Sequence, residues 1–240
     1  MLESAPSEPA AVLAVRSRIE EACRRAGRPP EAVRIVAVTK GHPWERVRWA
    51  PGAGLTDLGE NYVAELEDKR SKEQEAPAGV RWHFLGRLQS NKAGRIAELA
   101  DVVHSAEPGS GIAALGRRAV SAGRSVDVLA QVDFTGSRQG CFPDRIPEFL
   151  DELEALEGVR LTGLMAFPPL DPRQPSAETS RPAFAALREL RDQVVGAHPG
   201  LTELSMGTTS DYEVAVQEGA TMVRIGTALF GERPSPGANR

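Results

Sequence analysis

The 240-residue chain lacks the features that mark most specialised protein classes. It has two cysteines, Cys23 and Cys141, without metal-ligand spacing. That excludes a disulfide scaffold and a thiolate metal centre, and a reducing, cytoplasmic setting is the simplest expectation. No apolar run approaches the ~18 residues that cross a bilayer, so no membrane partner is expected. The amino terminus, MLESAPSEPA, is acidic and polar where a secretory signal would be basic and then apolar. Aromatic residues are scarce, at 5%, and no basic run interleaves with them; with a net charge of −4, this argues against nucleic acid as a partner. Repeats and linkers are missing too. The chain therefore reads as a single domain over 1–240 with one buried core, its ends at about 1–8 and 233–240 forming flexible tails.

What the chain does have is alternation. Val12, Val15, Ile19, Ala22 and Ala26 recur at helical spacing, and Gly27 ends the run. Eight short apolar segments follow, each trailed by an amphipathic stretch. They are Arg34 to Lys40, Leu55 to Glu60, Trp82 to Gly86, Val102 to Ala106, Val126 to Phe134, Leu161 to Phe167, Leu201 to Met206 and Met222 to Ile225. Eight strands alternating with helices predict an α/β fold, a single (β/α)8 TIM barrel with an extra N-terminal helix. A doubly wound open sheet is the rival. It calls for a glycine-rich fingerprint after the first strand, and Thr39-Lys40-Gly41-His42 is not one.

The barrel reading places a site at the C-terminal ends of the strands, with phosphate expected at the loops after strands seven and eight. Those loops are Gly207-Thr208-Thr209-Ser210 and Gly226-Thr227. Gly226 lets its amide approach an anion, and Thr227 adds a second amide and a hydroxyl. Ser210 and Glu213 have capping-box spacing, opening a helix whose amides favour an anion. Arg224 shares the strand parity of Gly226, so its guanidinium is expected to point at the same ligand. Lys40 ends the first strand, beside the eighth in a closed barrel. Burial would depress its pKa and leave an amine able to form a Schiff base. The alternatives are a solvated lysine at a strand end and a simple phosphate clamp. Asn61 and His83 add polar groups, although His83 reads equally well as a core histidine. Met165 packs on a flat ring or fills the core. Glu60, His104, Asp133 and Arg138 near other strand ends stay unassigned.

Taken together, Val38-Thr39-Lys40, Gly59-Glu60-Asn61, His83 to Lys92, His104-Ser105, Gly163-Leu164-Met165, Leu204 to Gly207 and Val223 to Gly231 resemble the YggS/PROSC family of pyridoxal phosphate (PLP) homeostasis proteins. The blocks run in order from about Val33 to Gly231. The resemblance implies a barrel similar to the N-terminal domain of alanine racemase. It implies that Lys40 holds PLP as a Schiff base, that Arg224 faces the pyridine nitrogen, and that Gly226-Thr227 with the hydroxyls after strand seven hold the phosphate. Asn61, His83, Met165, Ser205, Gly207 and Thr209 complete the implied cofactor-binding set. Two departures stand out: the usual Ser-Lys-Thr is Thr39-Lys40-Gly41 here, and the usual Gly-Met-Ser loop is Gly207-Thr208-Thr209.

Fold and cofactor do not fix a reaction. The chain reads as a PLP carrier with little or no turnover, supplying apo-enzyme acceptors. It reads alternatively as a small PLP-dependent amino-acid racemase, or as a phosphate-binding barrel enzyme without PLP. An Arg at the ring nitrogen weakens the electron sink, because Arg cannot yield the ring a proton as a carboxylic acid does. The racemase domain that would supply a second base is not expected within the nine residues after Gly231, and only Tyr62 and Tyr212 are candidate substitutes. A monomer or weak dimer is expected. The Pro-rich segment 168–180 reads as a lid over the site or as a plain connector.

Overall fold

Parallel pairing closes eight strands on themselves in chain order: β1 (Arg34–Val38), β2 (Asp57–Glu60), β3 (Arg81–Phe84), β4 (Val102–Ala106), β5 (Val126–Val132), β6 (Val159–Ala166), β7 (Glu203–Thr208) and β8 (Met222–Ile225). The final pairing sets Val36 of β1 beside Arg224 of β8, which rules out the open sheet. The structure is a computed structural model and describes residues 9–75, 79–136, 138–168 and 177–233. Helix α1 (Ala10–Arg25) precedes the barrel, and α2 (Trp44–Val47), α3 (Val63–Ser71), α4 (Ala93–Leu99), α5 (Ser110–Ser121), α6 (Ile146–Glu154), α7 (Arg181–Val194), α8 (Tyr212–Gln217) and α9 (Thr227–Phe230) follow in turn. Among the described residues no helix is long and apolar enough to cross a membrane.

The packing follows from the sequence pattern. Strand β5 is buried at every position, as expected when helices cover one face and the barrel interior the other. The helices turn apolar stripes inward: Ile146, Phe149, Leu150 and Leu153 on α6, and Phe184, Leu187, Leu190 and Val194 on α7. The α1 stripe of Val12, Val15, Ile19, Ala22 and Cys23 is buried, and α1 packs on α8 and α9. One large apolar cluster lies between strands and helices. A small separate cluster of Val102, Leu129 and Met165, with Phe167 against it, lies apart from that core.

Several predicted boundaries shift. β1 stops at Val38, not Lys40, because His42 N–H reaches the Thr39 carbonyl at 3.1 Å and turns the chain there. β7 runs two residues later than expected, into Thr208. The capping box does not form. Helix α8 starts at Tyr212 after Asp211, and no side-chain cap bonds its first turn. Asp211 instead closes the preceding loop, accepting from the Thr208 amide at 2.7 Å and from the Ser180 hydroxyl at 2.8 Å. Most of the 168–180 segment and the tails at 1–8 and 234–240 lie outside the described residues; 177–180 form a 3-10 turn leading into α7.

Candidate functional site

Lys40 stands two residues beyond β1 on a backbone held from three sides. Thr39 N–H donates to the Gly59 carbonyl at 2.9 Å, its hydroxyl donates to Glu60, and its carbonyl accepts from Lys69 Nζ at 2.8 Å. Lys69 is 2% exposed and ion-paired with Glu60, so this buried pair sits directly behind the lysine-bearing turn. Burial pushes Glu60 up to about 7 against the pull of Lys69 and Thr39, and its second carboxylate oxygen has no hydrogen-bond partner among the described residues. The Lys40 amine itself is held below the usual lysine range, first by burial and then by Arg233 and Arg224, with Glu60 and Glu65 opposing.

That amine opens on a cavity of about 400 Å³ at the C-terminal ends of the strands, lined by Lys40, Asn61, Thr209, Arg224, Gly226 and Thr227 from the predicted set. Gly226 differs from the expectation in its reason. Its φ of −116° is open to any residue, but a Cβ there would meet the Val38 carbonyl at 3.1 Å, so the constraint is the approach of β8's end to β1. Thr209 Oγ1 accepts from Ala228 N–H at 3.4 Å, tying the seventh loop to α9. Thr208, Thr209, Ser210 and Thr227 thus bring four hydroxyls to one wall. Asn61 Oδ1 is buried at the same cavity with no hydrogen-bond partner among the described residues, an acceptor that a bound ligand could satisfy.

Arg224 is 3% exposed and fixed on three sides. Nη1 donates to Ser205 Oγ at 2.7 Å, Nη2 donates to the Ala166 carbonyl at 3.1 Å, and the guanidinium lies 4.5 Å over the Phe167 ring. Burial lowers its pKa to about 10, which leaves it protonated at neutral pH.

The remaining predicted positions lie beneath the cavity, not on it. His83 and Ser205 are fully buried, and Met165 belongs to the small interior cluster. Gly207 has φ +88°, and a Cβ there would lie 2.5 Å from the Ala215 Cβ; it shapes the loop and does not line the wall. Gly207→Ala is accordingly expected to lower stability by ~1–3 kcal/mol, read by urea denaturation. A loss below 0.5 kcal/mol would mean that the loop adapts.

Four lining residues went unnoticed as such in the sequence: Val38, Leu85, Phe167 and Arg233. Phe167 shares the strand parity of Met165 one step nearer the open end, so alternation alone could have found it. Arg233 follows the last motif and carries no local signal; its side chain lies against Gly41. The unassigned groups also find places. His104 contacts His83 and Ser205, and Asp133 accepts from the Thr135 and Arg138 amides. Arg138 lies 5.5 Å over the Phe167 ring.

Two other places invite comparison. A larger cavity of about 570 Å³ opens at the N-terminal ends of β1 and β2, lined by Arg16, Arg34 and Asp57 among others, with neither an amine nor an amide cradle. Asp151, Glu154 and His198 come within metal-ligand spacing, but none lines either cavity, and Glu154 already pairs with His198 at 3.1 Å.

The alanine racemase N-terminal domain family matches residues 12–234. A protein of Pseudomonas aeruginosa named pyridoxal phosphate homeostasis protein is 42% identical over 223 residues, covering 91% of this chain and 93% of its own. The structure of PipY from Synechococcus elongatus PCC7942, with PLP bound, superposes with a TM-score of 0.78 at 36% identity, covering 90% of this chain and all of that one. Alanine racemase of Clostridium difficile 630 shares the fold at 17% identity and a TM-score of 0.69, over 93% of this chain and 58% of its own.

Proposed function

The chain belongs to the family of pyridoxal phosphate homeostasis proteins, and on that premise we propose that it binds PLP, holds it as a Schiff base on Lys40 and supplies it within the cell with little or no catalytic turnover. One observation carries the reading. A single cavity brings together an amine of lowered pKa, the hydroxyl-bearing residues Thr208, Thr209, Ser210 and Thr227, and a buried guanidinium.

These residues fit the cofactor group by group. Lys40, held below its ordinary pKa, keeps a share of unprotonated amine for an aldehyde. The Gly226-Thr227 amides and the hydroxyls of Thr208, Thr209 and Ser210 offer donors to a phosphate, and Arg233 adds charge at the rim. Arg224 offers N–H groups and no acceptor, so it suits an unprotonated ring nitrogen. Asn61 Oδ1 supplies the acceptor still lacking a partner among the described residues. When bound, PLP supplies a reactive aldehyde and a ring that withdraws electrons.

The test is transfer. Protein loaded with PLP and offered to an apo-enzyme acceptor should restore the acceptor's activity. A wild-type protein that stays colourless with PLP would favour the phosphate-binding barrel enzyme instead.

The racemase alternative is weakened by what surrounds Lys40. Two-base racemisation needs a proton donor on each face of the substrate. Tyr212 is 2% exposed and interacts with Arg18 on α1, away from the cavity, while Tyr62 is 58% exposed at the start of α3 and does not line the cavity. Arg224 on the cavity wall stays protonated at neutral pH and does not supply that proton exchange. Lacking one positioned acid–base group costs ~10²–10⁴-fold in rate. Alanine and serine racemisation should therefore fall far below ordinary turnover of 1–10³ s⁻¹, roughly, and Tyr62→Phe should not lower it further. Turnover in that range would favour the racemase.

A further inference from the structure

Beneath the cavity a continuous line of polar side chains, buried except for Asp57 at its far end, crosses the barrel interior. Arg224 Nη1 lies 2.7 Å from Ser205 Oγ, which lies 2.8 Å from His104 Nδ1. His104 Nε2 lies 2.8 Å from His83 Nδ1, and His83 Nε2 lies 2.7 Å from Asp57 Oδ1 at the other end of the barrel. Five strands contribute one residue each: β8, β7, β4, β3 and β2. His83, His104 and Ser205 are fully buried, so no water competes for these contacts.

The chemistry of the Asp57 end fixes every proton along this line. A carboxylate only accepts, so His83 Nε2 carries the hydrogen and His83 Nδ1 is an acceptor. His104 must then donate from Nε2, which leaves its Nδ1 to accept the Ser205 hydroxyl hydrogen. Ser205 Oγ in turn accepts from Arg224, which can only donate. Arg224 is compatible with the same assignment: Ser205 Oγ accepts from the guanidinium, and His104 Nδ1 is the acceptor within reach of its hydroxyl hydrogen. The direction is set from the Asp57 end, with both imidazoles neutral. An added proton would set two N–H groups against each other, or turn His104 round and strand the Ser205 hydrogen. The charges around the pair agree. Arg34 on β1 and Arg81 on β3 disfavour imidazolium at both histidines, Arg224 on β8 and His83 add to this at His104, and Asp57 favours it at His83. Burial is the largest cause holding both histidines below their ordinary pKa, His104 well below.

We propose that Asp57, His83, His104 and Ser205 form a one-directional hydrogen-bond relay that positions Arg224 for its ligand, making them positioning residues for the ring-facing guanidinium. The part that concerns the ring rests on the PLP reading above. The relay itself does not, and the experiment separates the two.

The first arm uses the cofactor-free protein labelled with ¹⁵N-histidine. Long-range ¹H–¹⁵N spectra should show His83 and His104 both protonated at Nε2 only, with neither titrating from about pH 8 down to about pH 5. An Nδ1–H tautomer at either residue, or a midpoint in that window, would overturn the relay whatever the protein binds. The second arm compares PLP with inorganic phosphate, which lacks a ring. Ser205→Ala and His104→Leu should weaken PLP about tenfold or more, as expected for disturbing a hydrogen bond to a charged group, with phosphate affinity unchanged within about twofold. His104→Asn, whose Oδ1 can stand in for Nδ1 toward Ser205, should recover most of the loss. Parallel loss of both ligands would reduce these residues to structural support, and unchanged PLP affinity would remove their link to Arg224. A wild-type protein that ignores PLP but shows the predicted tautomers would end the cofactor reading and leave the relay standing.

Discussion

Lys40→Ala is expected to abolish covalent cofactor attachment altogether. Borohydride treatment of wild-type protein with PLP should leave an adduct on Lys40, seen by peptide mass, and the variant should show none. Reversible binding should survive in part, because the hydroxyls, the Gly226-Thr227 amides and Arg224 are untouched. A residual affinity about 10–100-fold weaker, roughly 1.4–2.8 kcal/mol, is the expected scale for losing the lysine's share. An adduct that moves to another lysine would redraw the site. Equal adduct in both proteins would remove Lys40 from it.

Lys69→Met is expected to have the largest effect on stability. Removing one member of a buried ion pair strands the other, at a cost of ~3–5 kcal/mol. Here Glu60 would keep its Thr39 contact and lose its cation. The pH dependence gives the effect a signature. Burial already holds Glu60 at about 7 in the folded protein, above its unfolded value. A carboxyl with a raised folded pKa contributes stability that is fully present below the unfolded pKa, about 4.3, and is lost as pH rises through the folded pKa. Without Lys69 the folded pKa rises further, so the variant should approach wild type near about pH 5 and fall steadily behind above about pH 7. The double variant Glu60→Gln with Lys69→Met should lose most of this slope. Urea midpoints across that range decide it, and a penalty equal at both ends of the range would show that Lys69 acts through packing of its stem alone.

The barrel was legible because parallel strands buried on both faces read as apolar runs, and β5 (VDVLAQV) is the plainest instance. Boundaries were less so. The turn at Thr39–His42 is signalled by Gly41, with φ +74°, one residue past the expected strand end, and the Ser210–Glu213 spacing imitates a cap that Asp211 pre-empts through its bond to Thr208. Within the site, parity at the end of β8 and closure of the barrel account for Arg224, Gly226 and Lys40 lining one cavity. Depth was the missing coordinate. His83, Met165 and Ser205 lie on strands whose C-terminal ends surround the site, but one layer too low to line the cavity. Lys69 was hidden differently: it follows Leu66 by three residues on the inward face of α3, but nothing in the sequence names Glu60 as its partner.

Among the described residues, the wall around Lys40 contains Lys40, Arg224 and Arg233 and no carboxylate side chain. Such a concavity behaves as a small anion exchanger. Its grip on any phosphorylated ligand should slacken as ionic strength rises, as far as solvent reaches the charges. Phosphate or sulfate buffers should compete for the same seat. Filling it should also stiffen the whole protein, since a ligand that binds only the folded state adds RT ln(1 + [L]/Kd) to stability, about 2.7 kcal/mol at a hundredfold excess over Kd. The melting temperature of this chain should then serve as a gauge of free cofactor.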